Sequence, residues 1–233
     1  MSSRQPSQAV SVVIPALNAA PGIAAALHAL AAGATDPLRE VIVVDGGSTD
    51  DTAAIARDHG AQVIIAPRGR GPQLAAGAAT ASGAWLLFLH ADTALAPEWG
   101  KTATAFMRDP ANAARAGYFR FTLDDAAAAA RRLEVAVAWR NRVLGLPYGD
   151  QGLLIRRDFY RALGGYRPLP LMEDVDMVRR IGRRRLVMLD APALTSARRY
   201  RQDGYLGRPL RNALCLGLYY LGLPPRLIAR VYR

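Results

Sequence analysis

The sequence predicts an open α/β sheet, mostly parallel, with helices on both faces. Three observations carry that class. Short aliphatic runs alternate with helix-periodic segments through the first part of the chain. The runs lack the polar alternation of a half-exposed strand, as strands covered on both faces do. The segments between them are long enough for the helical crossovers that parallel neighbours require. At 233 residues, 51% hydrophobic and 21% charged, the chain suffices for one large folded domain or two small ones.

The elements follow in order. "VSVVIP" (10 to 15) is the first strand, and "PGIAAALHALAAG" a helix with Ile23, Ala26, Leu27 and Leu30 at helical spacing, Pro21 near its start and Gly33 past its end. "EVIVV" is the second strand. Ser48 and Asp51 have the spacing of a capping box ahead of "TDDTAAIARDHG". "AQVIIA" is the third strand, "GPQLAAGAATASG" a helix with Pro72 in its first turn, and "WLLFL" the fourth strand. Further on, "GYFRFTL" (117 to 123) alternates like a strand with one exposed face, and residues 126 to 144 read as a long helix bearing alanine and arginine.

In open α/β sheets ligands sit beyond the carboxyl ends of the strands. Four such ends are legible: Pro15 to Asn18, Asp45 to Ser48, Pro67 to Gln73, and His90 to Asp92. Together they predict one crevice. At such an end Asp45 can accept hydrogen bonds from a base or ribose, while Gly46 and Gly47 let backbone approach the ligand. Ser48 and the helix after it supply donors for a polar or anionic group. The same residues serve equally as a turn and an N-cap. A strand-terminal acid such as Asp92 is likewise either a cap or a place for a divalent cation to bridge to a diphosphate. No G-x-G-x-x-G follows the first strand and no Walker A lysine motif is present, which argues against dinucleotide and P-loop sites.

The charge points the same way. Thirty Lys and Arg against nineteen Asp and Glu give +11, and Lys101 is the only lysine. A basic surface favours an anionic partner: a nucleotide, a nucleic acid or an acidic membrane surface. The arginines are dispersed and no recognition module with interleaved aromatics appears, so nucleic acid is not expected. A single cysteine, Cys215, suits a reducing cytoplasm, and the polar start "MSSRQPSQ" does not read as a signal peptide.

Five motifs then occur in order: "SVVIPALNA", "VIVVDGGSTDDT", "GRGPQLAAGAATASGAWLLFLHADT", "GDQGLLIRRDFYRALGGY" and "MEDVDMVRRI". The set resembles the family 2 glycosyltransferases of the GT-A fold, and within them the compact bacterial subgroup associated with radical-SAM gene neighbourhoods. The resemblance implies a nucleotide-sugar half (10 to 95) and an acceptor half (96 to 205) between a flexible N-terminus (1 to 9) and a basic amphipathic tail (206 to 233). It implies an inverting transferase using a nucleoside-diphosphate sugar, a hydroxyl acceptor and a divalent cation, Mn2+ or Mg2+. By position, Pro15 and Asn18 meet the nucleoside, Asp45 with Gly47 and Ser48 the base side, and Arg70, Gln73, His90 and Ala91 the rest of the donor. Asp92 matches the last acid of the metal-binding D-x-D motif, Asp174 the general base, and Glu173 beside it orients the acceptor. Arg68 or Arg70 would offset charge on the leaving diphosphate.

One position departs from the family pattern: the first acid of D-x-D is His90, which leaves ligand, donor and packing roles open to it. Asp150 and Gln151 precede a short strand and either contact the acceptor or donor sugar or form a turn. Arg198 and Arg199, in "TSARRYRQDG", either meet the diphosphate or belong to a solvated loop. The tail contains no acid, and its uncharged stretch is too short to span a bilayer. It suits either an interfacial helix on anionic lipid, which would accompany a lipid acceptor at the inner face of the membrane, or packing against the domain or a second subunit. A nucleotidyltransferase, or a basic binding protein without catalysis, are the competing readings.

Overall fold

The computed structural model describes residues 8–34, 38–205 and 207–232. Most of the expected flexible N-terminus therefore lies outside the described residues. Eight strands form one sheet in the order β3-β2-β1-β4-β7-β6-β8-β5. The first four, β1 (Val10–Ala16), β2 (Leu38–Asp45), β3 (Gln62–Ile65) and β4 (Trp85–Phe88), pair in parallel. The crossovers are α1 (Ala20–Ala32), α2 (Thr52–Asp58) and α3 (Arg70–Thr80).

The uniform apolarity of these strands has a direct cause. Val10, Val12 and Ile14 of β1 enter one core with Val43, Trp85 and Leu87, while Val13 enters the opposite core with Ile42, Val44, Leu86 and Phe88. Both pleat faces of β1, β4 and the second half of β2 are buried, so apolar residues fill both, Ser11 of β1 being accommodated by its bond to Glu40, while the edge strand β3 keeps Gln62 and Ile65 exposed. Each fully buried Ile or Leu removed from water stabilises the fold by about 1.5–3 kcal/mol.

The second half completes the sheet in mixed directions. It comprises β5 (Thr93–Leu95), α4 (Trp99–Arg108), β6 (Ala116–Leu123), α5 (Ala128–Leu144), β7 (Leu153–Arg156), α6 (Arg157–Ala162), α7 (Glu173–Ile181) and β8 (Leu186–Thr195). Strand β7 runs antiparallel to β4 and β6, β6 is parallel to β8, and β8 is antiparallel to β5. The chain closes with α8 (Arg198–Asp203), α9 (Gly207–Tyr220) and α10 (Pro225–Tyr232).

Three local expectations are corrected. Helix α2 begins at Thr52 with Asp51 as N-cap and no side-chain cap bond, because Ser48 is spent on Asp45 instead. Strand β6 lies inside the sheet between β7 and β8, so apart from Arg120 its residues are at least partly buried and it has no solvent face. The tail is two helices rather than one, interrupted after Tyr220 and restarted at Pro225, where proline is tolerated in a first turn.

Candidate active site

The carboxyl ends of β1, β2 and β4 and the start of α3 converge as the sequence predicts, and side chains lock them together. Gln73, almost fully buried in α3, donates from Nε2 to the carbonyls of Ala16 and Val44, each at 2.7 Å. One amide thus clamps the ends of two adjacent strands. Gly46 lies directly against it: a Cβ there would come 3.0 Å from Gln73 Nε2. Gln73 also lines the crevice that opens above, with its donor nitrogen committed to backbone carbonyls.

The next layer is a lattice between two loops. Asn18 adopts φ +49°, a left-handed conformation that asparagine tolerates better than most residues. Its Oδ1 accepts from Thr49 N at 2.9 Å, and its own N donates to Ser48 Oγ at 2.9 Å. Asp45, 6% exposed, accepts from Ser48 N at 3.1 and 3.2 Å and from Ser48 Oγ. Asp50 and Thr52 receive the N–H groups of Ala20 and Ala19 at 3.1 and 2.8 Å. The start of α1 is therefore held by the loop after β2 rather than by its own cap. Gly47, at φ +89°, has open space where a side chain would stand.

A crevice of about 590 Å³ opens over this lattice, lined by Pro15, Asn18, Arg68, Arg70, His90, Ala91, Asp92 and Arg198 among others. A smaller cavity of about 90 Å³ adjoins it and holds Tyr148, Asp150, Asp174, Tyr200 and Arg208. Arg70, His90, Asp92 and Ser196 line both, so they stand at the junction. Asp45, Gly47 and Ser48 form the turn beside the crevice rather than its lining.

Asp174 heads α7. Its Oδ2 accepts from Gly149 N at 3.0 Å and its Oδ1 from Val175 N at 2.8 Å, which fixes the carboxylate toward the cavity and leaves each oxygen a further lone pair. Asp150 stands opposite with a buried Oδ1 that has no hydrogen-bond partner among the described residues. Burial, countered in part by Arg140 and reinforced by the charges of Asp174 and Asp92, pushes the Asp150 carboxyl up to about 6. His90 turns its Nε2 edge toward the loop carrying Asp150: a Cβ on Gly149 would collide with that nitrogen.

Glu173 stands behind Arg70. It is fully buried and faces Arg70, Nε to Oε1 at 2.7 Å, with neither carboxylate oxygen in a well-formed hydrogen bond. It holds the arginine that lines both cavities and does not itself line either. Burial pushes its carboxyl up to about 7 even though Arg70 pulls it down. Asp176, two residues on, is bound to Arg167 and Arg180 at 3.1 and 2.6 Å on another face of the helix.

Gln151 has no exposed surface, donates to Phe119 O at 3.1 Å and accepts from Asn141 Nδ2 at 3.0 Å, so it braces β6 against α5 from within. Arg198 reaches the crevice, whereas the side chain of Arg199 lies outside the described residues. The sequence reading missed Tyr148, Tyr200, Arg208, Asn212 and Tyr232, which wall the small cavity. A tyrosine next to the noted arginines was a signal for Tyr200; nothing local marks the others.

The residues present suit a cation only in a shared way. Among the described residues no group of three His, Cys, Asp or Glu side chains is arranged to hold a metal. Asp92 with the orphaned Asp150 oxygen nearby leaves a hard cation to be completed by oxygens of a bound diphosphate and by water.

Comparison with known proteins agrees with this geometry. The glycosyl transferase family 2 model matches residues 11–163. An uncharacterized glycosyltransferase of Mycobacterium tuberculosis is 42% identical over 85 residues, 36% of this chain and 37% of that protein. A PGL/p-HBAD biosynthesis glycosyltransferase of Mycobacterium bovis is 38% identical over 92 residues, 36% of each chain. The matched segment thus spans little more than a third of the length of these relatives. Among solved structures, glucosyl-3-phosphoglycerate synthase from Mycobacterium tuberculosis, in complex with Mn2+, UDP and glucosyl-3-phosphoglycerate, superposes with TM-score 0.64. It is 22% identical, with 93% of this chain and 81% of that one covered. That likeness establishes a shared GT-A architecture. The match from β1 through α6 establishes the rest: the chain belongs to glycosyl transferase family 2.

Proposed function

We propose that this protein is an inverting glycosyltransferase that moves a sugar from a nucleoside-diphosphate donor to an acceptor hydroxyl by single displacement. The observation that carries the reading is the junction. A crevice large enough for a nucleotide meets a small acid-lined cavity, and Arg70, His90 and Asp92 line both. The anomeric carbon belongs at that boundary, with the nucleotide on one side and the acceptor on the other. The ordered motifs support the further reading that it is one of the compact subgroup named above.

In this mechanism Asp174, oriented by Gly149 N and Val175 N, takes the proton of the attacking hydroxyl on a carboxylate oxygen. Arg70, held by Glu173, and Arg68 at the crevice edge offset the charge that grows on the departing diphosphate. Asp150, its carboxyl pushed up to about 6 and so mostly ionised at neutral pH, positions a sugar or acceptor hydroxyl by accepting its hydrogen bond. Asp45 and Asn18 hold the loops against which the nucleoside lies. Asp92 would hold a divalent cation, Mn2+ or Mg2+, which when bound would supply positive charge to the diphosphate. The solved neighbour carries UDP and Mn2+, which makes uridine diphosphate sugars the first donors to test. A cytoplasmic site of action fits such a donor and a lone reduced cysteine.

The test is a thermal-shift panel with UDP, GDP, dTDP and their sugars, each with and without Mn2+, on the wild type and on Asp92→Ala. A ligand at a hundred times its dissociation constant stabilises by about 2.7 kcal/mol, a readily measured shift. A metal-dependent shift with one nucleotide, lost in the variant, supports the assignment. A folded protein that shifts with none of them contradicts it.

A further inference from the structure

The tail has a face that the domain does not use. Helix α9 buries Cys215 and packs Leu218 and Tyr219 against α7 and α10, while Leu210 and Leu214, one turn apart on another face, and Leu221 in the turn just after the helix are 67%, 54% and 79% exposed. Helix α10 repeats the arrangement: Ile228 is buried, Leu227 and Val231 are about half exposed, and Arg226 and Arg230, also exposed and one turn apart, flank that pair. The two helices pack on each other through one apolar cluster, so their outer faces belong to one continuous unit. From residue 206 to 233 there is no Asp or Glu.

Exposed apolar stripes of this kind mark an interaction surface, and their charge says of which kind. We propose that the outer faces of α9 and α10 dock on the surface of an anionic lipid bilayer, with the leucines in the acyl boundary and Arg226 and Arg230 at the headgroups. Apolar residues beside arginines, with no acid to repel phosphate, are what an interfacial helix requires. No helix among the described residues is long and apolar enough to cross a membrane, so the contact is with the surface. A second copy of this chain is a poorer occupant, because it would bring the same arginines face to face. The docking helices also wall the site: Arg208 and Asn212 of α9 and Tyr232 of α10 line the small cavity beside Asp174. Docking would therefore set the acceptor side of the site close to the lipid surface.

The experiment is vesicle flotation, which does not depend on the donor or on the glycosyltransferase reading. Full-length protein is mixed with phosphatidylcholine vesicles, or with phosphatidylcholine containing phosphatidylglycerol, at low and high salt. The wild type should float with the anionic vesicles only and be released by salt. The double variants Leu214→Glu/Leu221→Glu and Arg226→Glu/Arg230→Glu should each bind them roughly tenfold or more weakly. Circular dichroism should confirm unchanged folding, since all four side chains are exposed. Absence of wild-type flotation, equal flotation of folded variants, or a dimer in light scattering that Leu214→Glu dissociates would each overturn the proposal.

Discussion

The two sides of the site are built on opposite principles. On the crevice side, the proposed donor side, the ends of β1 and β2 are held by neutral or local hydrogen bonds whose donors and acceptors are matched: Gln73 donates to two carbonyls, Thr49 N to Asn18, and Ser48 N to Asp45. On the small-cavity side, the proposed acceptor side, charges are buried with incomplete partners: Asp150 has an orphaned oxygen, and Glu173 meets Arg70 without a well-formed hydrogen bond. The first arrangement is rigid and suits recognition of a fixed shape. The second retains electrostatic free energy, which a site uses when protons and charge must move.

Changes on each side should therefore fail differently. The largest effect expected is that of Asp174→Asn, which keeps the hydrogen-bond acceptor for Gly149 but removes the base. Turnover should fall by about 10²–10⁴ while the nucleotide-induced thermal shift persists. A parallel loss of nucleotide binding would show that the two sides are not separable.

The donor side should instead lose stability. Gln73→Ala removes the side-chain donor to the carbonyls of Ala16 and Val44, of which Ala16 O keeps Gly46 N at 2.9 Å, and should cost about 1–3 kcal/mol in denaturant unfolding. An effect below about 1 kcal/mol would mean that the clamp is dispensable.

The smallest effect is a pH dependence confined to the acceptor side. Because the folded-state pKa of Asp150 is raised to about 6, the native state holds its proton longer than the unfolded chain does. Its stabilising contribution is complete below the unfolded value, near 4, and is lost as pH rises through about 6. Asp150→Asn should thus match the wild type in acid and exceed it by about 1–2 kcal/mol above pH 7. Unfolding curves at both ends of that range decide the matter, and a constant difference would contradict the buried-charge account.

Legibility in the sequence divides along the same line. The four parallel strands and their crossovers could be read because burial on both faces leaves an unbroken aliphatic run. The crevice followed because loops after such strands converge on one edge. The bracing contacts of Glu173, Gln73 and Gln151 were not legible, because a glutamate or glutamine beside a motif looks the same whether it faces ligand or core. Burial is a property of the neighbours, and those neighbours lie far along the chain: Arg70 for Glu173, Ala16 and Val44 for Gln73, Phe119 for Gln151.

By itself the sequence determined the fold class, the four strand ends, and the order of motifs on which family membership rests, since each depends on local periodicity or on short-range residue types. Only the tertiary structure decided which polar side chains brace the site and which line it. It also brought the last helices of the chain against Asp174. Those outcomes depend on contacts between residues distant in sequence, where the low dielectric of the interior, rather than residue type, sets what a carboxylate or an amide does.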